Sequence, residues 1–243
     1  MPTSLIDVEY IKEGTKSRIC YIRREVDGIM SGISATIDFY NEHAAQYAAG
    51  TLSSDMSQLC NEFLSLLPHR GVILDLGCGS GRDSRYFINR GYRVIAVDGS
   101  TELCRLAAET IGQPVMCCDF REYEPEEPLT GVWASASLLH LTPEEISGVV
   151  SRLAGHLIPG GCFYMSFKYG TFSGKRDGRF YMDMDETSLK KLLDGIPALS
   201  LISQKVTEDV RQSHAGEKWL NTFCERIPQE VLDRVETFGS VRG

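Results

Sequence analysis

Val72-Ile73-Leu74-Asp75-Leu76-Gly77-Cys78-Gly79-Ser80-Gly81, followed by Tyr92-Arg93-Val94-Ile95-Ala96-Val97-Asp98, is the stretch that decides the fold. Its first half is a near-continuous apolar run, as expected of a strand buried on both faces of a parallel sheet. Glycines at alternate positions 77, 79 and 81 let the turn that follows lie against a ligand without Cβ clashes. The second run ends on a carboxylate, Asp98. In doubly wound α/β sheets small molecules sit at the carboxyl ends of the strands, where an acid closing the second strand accepts hydrogen bonds from ribose hydroxyls. Together the two runs predict a nucleoside site.

The spacing bears on which nucleoside. A dinucleotide fingerprint starting at Gly77 requires glycine or alanine at position 82, and Arg82 stands there. Asp75, two residues before a G-x-G-x-G turn, instead resembles the first motif of class I S-adenosylmethionine-dependent methyltransferases. The resemblance continues through Ala96-Val97-Asp98-Gly99-Ser100, Cys117-Cys118-Asp119-Phe120, Gly131-Val132-Trp133-Ala134-Ser135-Ala136-Ser137-Leu138-Leu139-His140 and Leu157-Ile158-Pro159-Gly160-Gly161, in the family's order. It is closest to stand-alone small-molecule enzymes of the ubiquinone-biosynthesis and tellurite-resistance type, a grouping that fixes no one acceptor.

The resemblance implies a Rossmann-like, doubly wound seven-stranded sheet with its last strand antiparallel. It also implies S-adenosyl-L-methionine as cofactor and S-adenosyl-L-homocysteine as product. The backbone of Gly77, Cys78, Gly79 and Gly81 would pass against the cofactor. Asp98 would take both ribose hydroxyls and Asp119 the adenine amine, with Gly99, Ser100 and Phe120 flanking the ring. Tyr47, with Thr51, would lie near the methionine end, and Ser135 beside the cofactor. Tyr40 is expected only to pack. Asp75 has two readings: contact with the cofactor's amino group, direct or through water, or ordering of the glycine loop.

The chain's 243 residues suit one sizeable core with extensions. The expected division is an extension over 1–33 containing a β-hairpin, a catalytic domain over 34–226 and a tail over 227–243. A formal net charge of −8 disfavours a general nucleic-acid binder and favours a small-molecule acceptor. No apolar run reaches membrane-spanning length, and the N-terminus lacks the form of a signal peptide, so the expected setting is cytoplasmic. The 8 cysteines include no C-x-x-C and the 5 histidines are scattered, so no metal-ligand spacing is visible. Oligomeric state is not legible.

Along the chain, Ile6, Val8 and Tyr10 alternate before Glu13-Gly14-Thr15-Lys16, the signal for a hairpin. Two helices precede the first strand, the second ending at Pro68. Strands and helices then alternate, which predicts βαβ units. Expected strands are 114–118, 132–138, 162–168, 199–206 and 218–224. Thr142-Pro143-Glu144-Glu145 combines a capping box with a proline at the first helical position.

On the acceptor side, the resemblance places Ser135, Ser137, Leu138 and His140 beside the transferred methyl group. His140 has two readings, a proton acceptor or a residue that only lines the pocket. The cationic segment 168–181, with Lys168, Tyr169, Arg179 and Tyr181, is either a loop that binds an anionic acceptor or a solvated flexible lid. Rival functions are methylation of nucleic acid or protein, a non-catalytic cofactor-binding regulator, and a nicotinamide oxidoreductase. Ala134-Ser135-Ala136-Ser137 stands where an Asn/Asp-Pro-Pro-Tyr motif would mark amino methylation of bases.

Overall fold

The computed structural model describes residues 6–13, 16–24, 34–211, 214–228 and 230–231. Strands β1 (Ile6–Glu13) and β2 (Lys16–Arg24) pair antiparallel. The Gly14-Thr15 turn expected between them, and most of the 227–243 tail, lie outside the described residues. Helices α1 (Ser34–Thr51) and α2 (Ser57–Leu66) lead into β3 (Val72–Leu76), α3 (Arg82–Ile88), β4 (Arg93–Asp98), α4 (Thr101–Ile111) and β5 (Met116–Cys117). There follow β6 (Leu129–Ala134), a 3-10 turn (Leu138–His140), α5 (Pro143–His156), β7 (Leu157–Lys168), β8 (Ser173–Arg176) and β9 (Arg179–Met182). Helix α6 (Glu186–Asp194) and strands β10 (Leu199–Glu208) and β11 (Lys218–Arg226) complete the order.

Among the described residues the main sheet runs β1-β2-β5-β4-β3-β6-β7-β11-β10. Strands β5 to β7 in that order are parallel, and β11 inserts antiparallel between β7 and β10. This is the expected seven-stranded Rossmann-like sheet, and the N-terminal hairpin extends it through Ile22 and Arg23 beside Met116 and Cys117 of β5. Order reverses between β3 and β6, so the loops after β3, β4 and β6 converge on one crevice.

The two-residue period of the strands divides the core. Leu74, Leu76, Val132, Phe163 and Met165 face the α5 side, against Ile146, Val149, Val150 and Leu153. Ile73, Val94, Trp133, Tyr164 and Phe223 face the other side, against Phe63 of α2 and Phe87 of α3. Trp133 stacks on Tyr164 at 3.8 Å between centroids and donates from Nε1 to buried Asp83 at 2.9 Å. A buried indole N–H is thereby satisfied.

The predicted capping box is present. Glu145 N–H donates to Thr142 Oγ1 at 3.3 Å and Thr142 N–H to Glu145 Oε2 at 2.9 Å. Thr142→Ala should cost about 1 kcal/mol, lowering the melting temperature by roughly 2–4 °C in a thermal melt.

Two expected elements differ. The fourth sheet-core strand spans 129–134 rather than 132–138, because Ala136 takes φ 52° and breaks the extended run. Segment 168–181 is no open loop: β8 and β9 form an antiparallel hairpin. It packs against α1 and the 3-10 turn.

Candidate functional site

Where the two halves of the sheet diverge lies a cavity at the strand ends. It is lined by Thr36, Ile37, Tyr40 and Tyr47 of α1, Gly77 and Gly79 after β3, Asp98 to Ser100 at the end of β4, Leu103 of α4, Asp119 and Phe120 after β5, and Ala136, Ser137 and His140 after β6. Helix α1 closes it from above.

Asp98 is the hub. Its Oδ2 accepts the Gly79 N–H at 2.8 Å and its Oδ1 the Ser100 N–H at 2.9 Å. Burial pushes its pKa up, while the N–H groups of Ser100, Gly79 and Gly99 oppose that shift. One carboxylate thus ties the glycine loop to the start of α4 and still presents lone pairs to the cavity. Ser100 caps α4 by accepting the Leu103 N–H at 3.2 Å, and its hydroxyl donates to Asn41 at 2.7 Å.

At the far wall Asp119 accepts from Arg121 N–H and Nε, each at 2.9 Å, and from Nη2 at 2.5 Å. Arg121 also reaches Glu145 at 2.7 Å, which fixes the acid's position. The glycine loop is tight. Gly77 and Gly79 have φ of 75° and 55°; a Cβ on Gly77 would overlap Ser137, and one on Gly79 would lie 3.1 Å from the Tyr47 ring. The hydroxyls of Thr36 and Ser137 are buried without hydrogen-bond partners among the described residues. Both belong to lining residues, where a ligand could satisfy them.

Of the residues singled out in the sequence, Tyr40, Tyr47, Gly77, Gly79, Asp98, Gly99, Ser100, Asp119, Phe120, Ser137 and His140 line this cavity. Asp75 does not: strand alternation turns it to the α3 side with Ile73, where it is buried and accepts the Ser84 hydroxyl at 2.6 Å. Burial and neighbouring Asp83 push its pKa up. Loop ordering falls to Asp98 instead. Cys78 packs into the core behind the loop, its thiol pushed up by burial, and Gly81 is the left-handed cap of α3. Thr51 bonds to Ser80 at 3.1 Å. Ser135 is half-buried outside the lining, because the turn at Ala136 brings Ser137 over Gly77 instead.

Tyr40 does more than pack. Its hydroxyl lies 3.0 Å from His140 Nε2 and accepts Arg179 Nη1 at 3.2 Å. His140 Nδ1 lies 2.7 Å from the Phe180 carbonyl, which can only accept, so the proton sits on Nδ1 and Nε2 accepts from Tyr40. Burial lowers the pKa of His140 to about 4, with Arg179 adding to the effect and the Phe180 hydrogen bond opposing it. The unfolded chain protonates this histidine near 6.5, so its contribution to stability is complete above that value and lost as pH falls towards about 4. Urea titrations should show wild type losing up to about 3 kcal/mol relative to His140→Gln over that window.

The four residues named in the cationic segment 168–181, Lys168, Tyr169, Arg179 and Tyr181, lie outside the cavity lining. Lys168 pairs with Glu217, and half-exposed Tyr169 bonds to Glu186 at 3.0 Å. Tyr181 meets the His140 ring edge-on at 4.9 Å, and Arg179 covers Phe39 at 4.1 Å. The sequence reading missed Thr36, Ile37, Leu103 and Ala136. Only α1's closure over the strand ends brings the first two there.

Asp209, His214 and Glu217 offer ligand atoms within 4.8 Å of one another. Each is already engaged: Asp209 by Arg211 and Trp219, Glu217 by Lys168 and His214. No helix among the described residues is long and apolar enough to cross a membrane.

Residues 73–161 match a family model described as "Methyltransferase domain". A trans-aconitate 2-methyltransferase of Azoarcus sp. is 29% identical over 114 residues, 45% of this chain and 44% of the relative. One from Mycobacterium tuberculosis is 38% identical over 90 residues, 36% of this chain and 33% of that protein. The chain thus spans less than half the length of these curated relatives. The 1,6-didemethyltoxoflavin-N1-methyltransferase of Burkholderia thailandensis, solved with 1,6-didemethyltoxoflavin and S-adenosylhomocysteine, superposes with TM-score 0.66 at 21% identity, over 90% of this chain and all of that one. Magnesium protoporphyrin IX methyltransferase from Synechocystis PCC 6803, solved with S-adenosylmethionine, gives 0.62 at 15% identity, over 83% of this chain and all of the other.

Proposed function

We infer from a class I methyltransferase fold, with a methyltransferase domain matched over residues 73–161, that this chain transfers the methyl group of S-adenosylmethionine to a small-molecule acceptor. The observation that carries the reading is Asp98, buried at the end of β4 between the glycine loop and the cap of α4, with lone pairs directed at the cavity it lines. The residues fit the cofactor. Asp98 would hold the ribose hydroxyls, Asp119 the adenine amine, and Ile37, Leu103 and Phe120 the faces of the ring. Gly77 and Gly79 leave room for backbone approach, and the Thr36 and Ser137 hydroxyls await partners.

When bound, the cofactor supplies an activated methyl on a sulfonium, so the chain's task is position and exclusion of water, with no metal required. Orientation of reactants can lower such a barrier by several kcal/mol. Tyr40, Tyr47 and His140 wall off the cavity. Their rings pack edge-on, Tyr40 to Tyr47 at 5.2 Å and to His140 at 5.6 Å. An acceptor bound against these rings would be shielded from water by them.

Calorimetry and thermal shift with S-adenosylmethionine, S-adenosylhomocysteine and NAD test the assignment. Binding of the first two without NAD is expected; a response to NAD alone would refute it. Turnover unaffected by a chelator would support metal independence, and formation of no S-adenosylhomocysteine with any acceptor would favour the non-catalytic regulator.

A further inference from the structure

We propose that the methyl acceptor is a carboxylic acid bound as its anion, with Arg179 meeting its charge, and that the product is a methyl ester. The proposal rests on the cofactor assignment above and adds the class of acceptor.

The first support is the lack of an available base among the described lining residues. Five of them titrate: Tyr40, Tyr47, Asp98, Asp119 and His140. Asp98 holds two backbone N–H groups and, on the cofactor assignment, the ribose hydroxyls take its remaining lone pairs, while Asp119 is held by Arg121. His140 has both ring nitrogens occupied, by Phe180 and Tyr40. Burial raises both tyrosines and lowers His140, which keeps all three neutral at physiological pH. A hydroxyl or thiol acceptor would have to shed its proton with no partner to receive it. A protonated amine would bring a further positive charge beside a cavity that Arg179 already adjoins through Tyr40. A carboxylate arrives with its nucleophilic lone pair exposed.

The second support is Arg179 itself. The neighbouring cations are neutralised: Lys168 by Glu217, Arg176 by Asp183, Arg211 by Asp209. Among the described residues no carboxylate pairs with Arg179. Its guanidinium stands 4.1 Å from the centroid of Phe39, 5.2 Å from Tyr181 and 5.4 Å from Tyr40. Its Nε is buried without a partner, while Nη1 donates to the hydroxyl of cavity-lining Tyr40. An unpaired guanidinium with a buried unsatisfied N–H beside the reaction cavity suits an anion that it can grip with two parallel hydrogen bonds.

The chemistry balances without a proton. A carboxylate oxygen lone pair forms the new O–CH₃ bond, the C–S bonding pair stays on sulfur, and the negative and positive charges cancel to give a neutral ester and a neutral thioether. Such charge annihilation is favoured in a water-poor cavity.

The test uses the full chain with methyl-tritiated S-adenosylmethionine and separate panels of short mono- and dicarboxylic acids, phenols and primary amines. Label should enter an acid, be released as volatile methanol by mild alkali, and appear with no proton release in an indicator assay. Alkali-stable label, one proton released per turnover, or transfer only to phenols or amines would overturn the proposal. So would no transfer to any acid by protein that binds S-adenosylmethionine in the calorimeter; a protein that binds none overturns the cofactor assignment as well. For the acid that accepts, Arg179→Gln should raise KM at least about tenfold with unchanged cofactor affinity, and should abolish the heat of acid binding to the S-adenosylhomocysteine complex. An unchanged KM would remove Arg179 from acceptor recognition and sink the proposal.

Discussion

Asp98→Ala is expected to weaken S-adenosylmethionine binding by about a hundredfold to ten-thousandfold. Two hydrogen bonds from ribose hydroxyls to a carboxylate are worth roughly 1.5–3 kcal/mol each, and each 1.4 kcal/mol is about a factor of ten. The substitution also leaves the Gly79 and Ser100 N–H groups without the acceptor they share, so the loop that should lie against the cofactor loosens. Asp98→Asn, which keeps one carbonyl oxygen, should fall between wild type and alanine. His140→Ala, at the opposite wall, should lower cofactor affinity far less. Calorimetric titration of all three variants is the check, and equal losses for alanine at 98 and 140 would show that the pocket has been misplaced.

Gly77→Ala is the second large effect. The residue sits at φ 75°, where an L side chain costs about 1–2 kcal/mol, and its added Cβ would overlap the Cβ of buried Ser137. Overpacking of this kind adds roughly 1–3 kcal/mol. A loss of about 2–5 kcal/mol in urea denaturation is expected, together with loss of cofactor binding. The double variant Gly77→Ala/Ser137→Gly separates the two causes: it should recover the steric part and retain the backbone strain. No recovery would mean that the two residues do not meet.

Much of this architecture was legible because it is written in short-range chemistry. Apolar runs marked β3 and β4, the capping box marked α5, and the glycines at 77 and 79 with Asp98 marked the crevice at the strand ends. Other readings failed where neighbours distant in sequence decide. The pattern of β3 does not say which face Asp75 will share with Ser84. Nor does the run after β6 announce a left-handed turn at Ala136 that exchanges Ser135 for Ser137. The segment 168–181 is polar and glycine-containing, so it read as a loop; pairing of β8 with β9 and packing on α1 make it a roof.

His140 shows the division most plainly. Its place after β6 was predictable, yet its protonation state follows from Tyr40, a hundred positions earlier in the chain, and from the Phe180 carbonyl, forty positions later. By itself the sequence determined the strands that border the crevice and the carboxylate at its centre, since periodicity, glycine and a strand-end acid act through local geometry. Only the tertiary structure decided what faces that carboxylate, because burial, and hydroxyls and a guanidinium N–H without partners among the described residues, exist only once helix, turn and hairpin are brought to the same few ångströms.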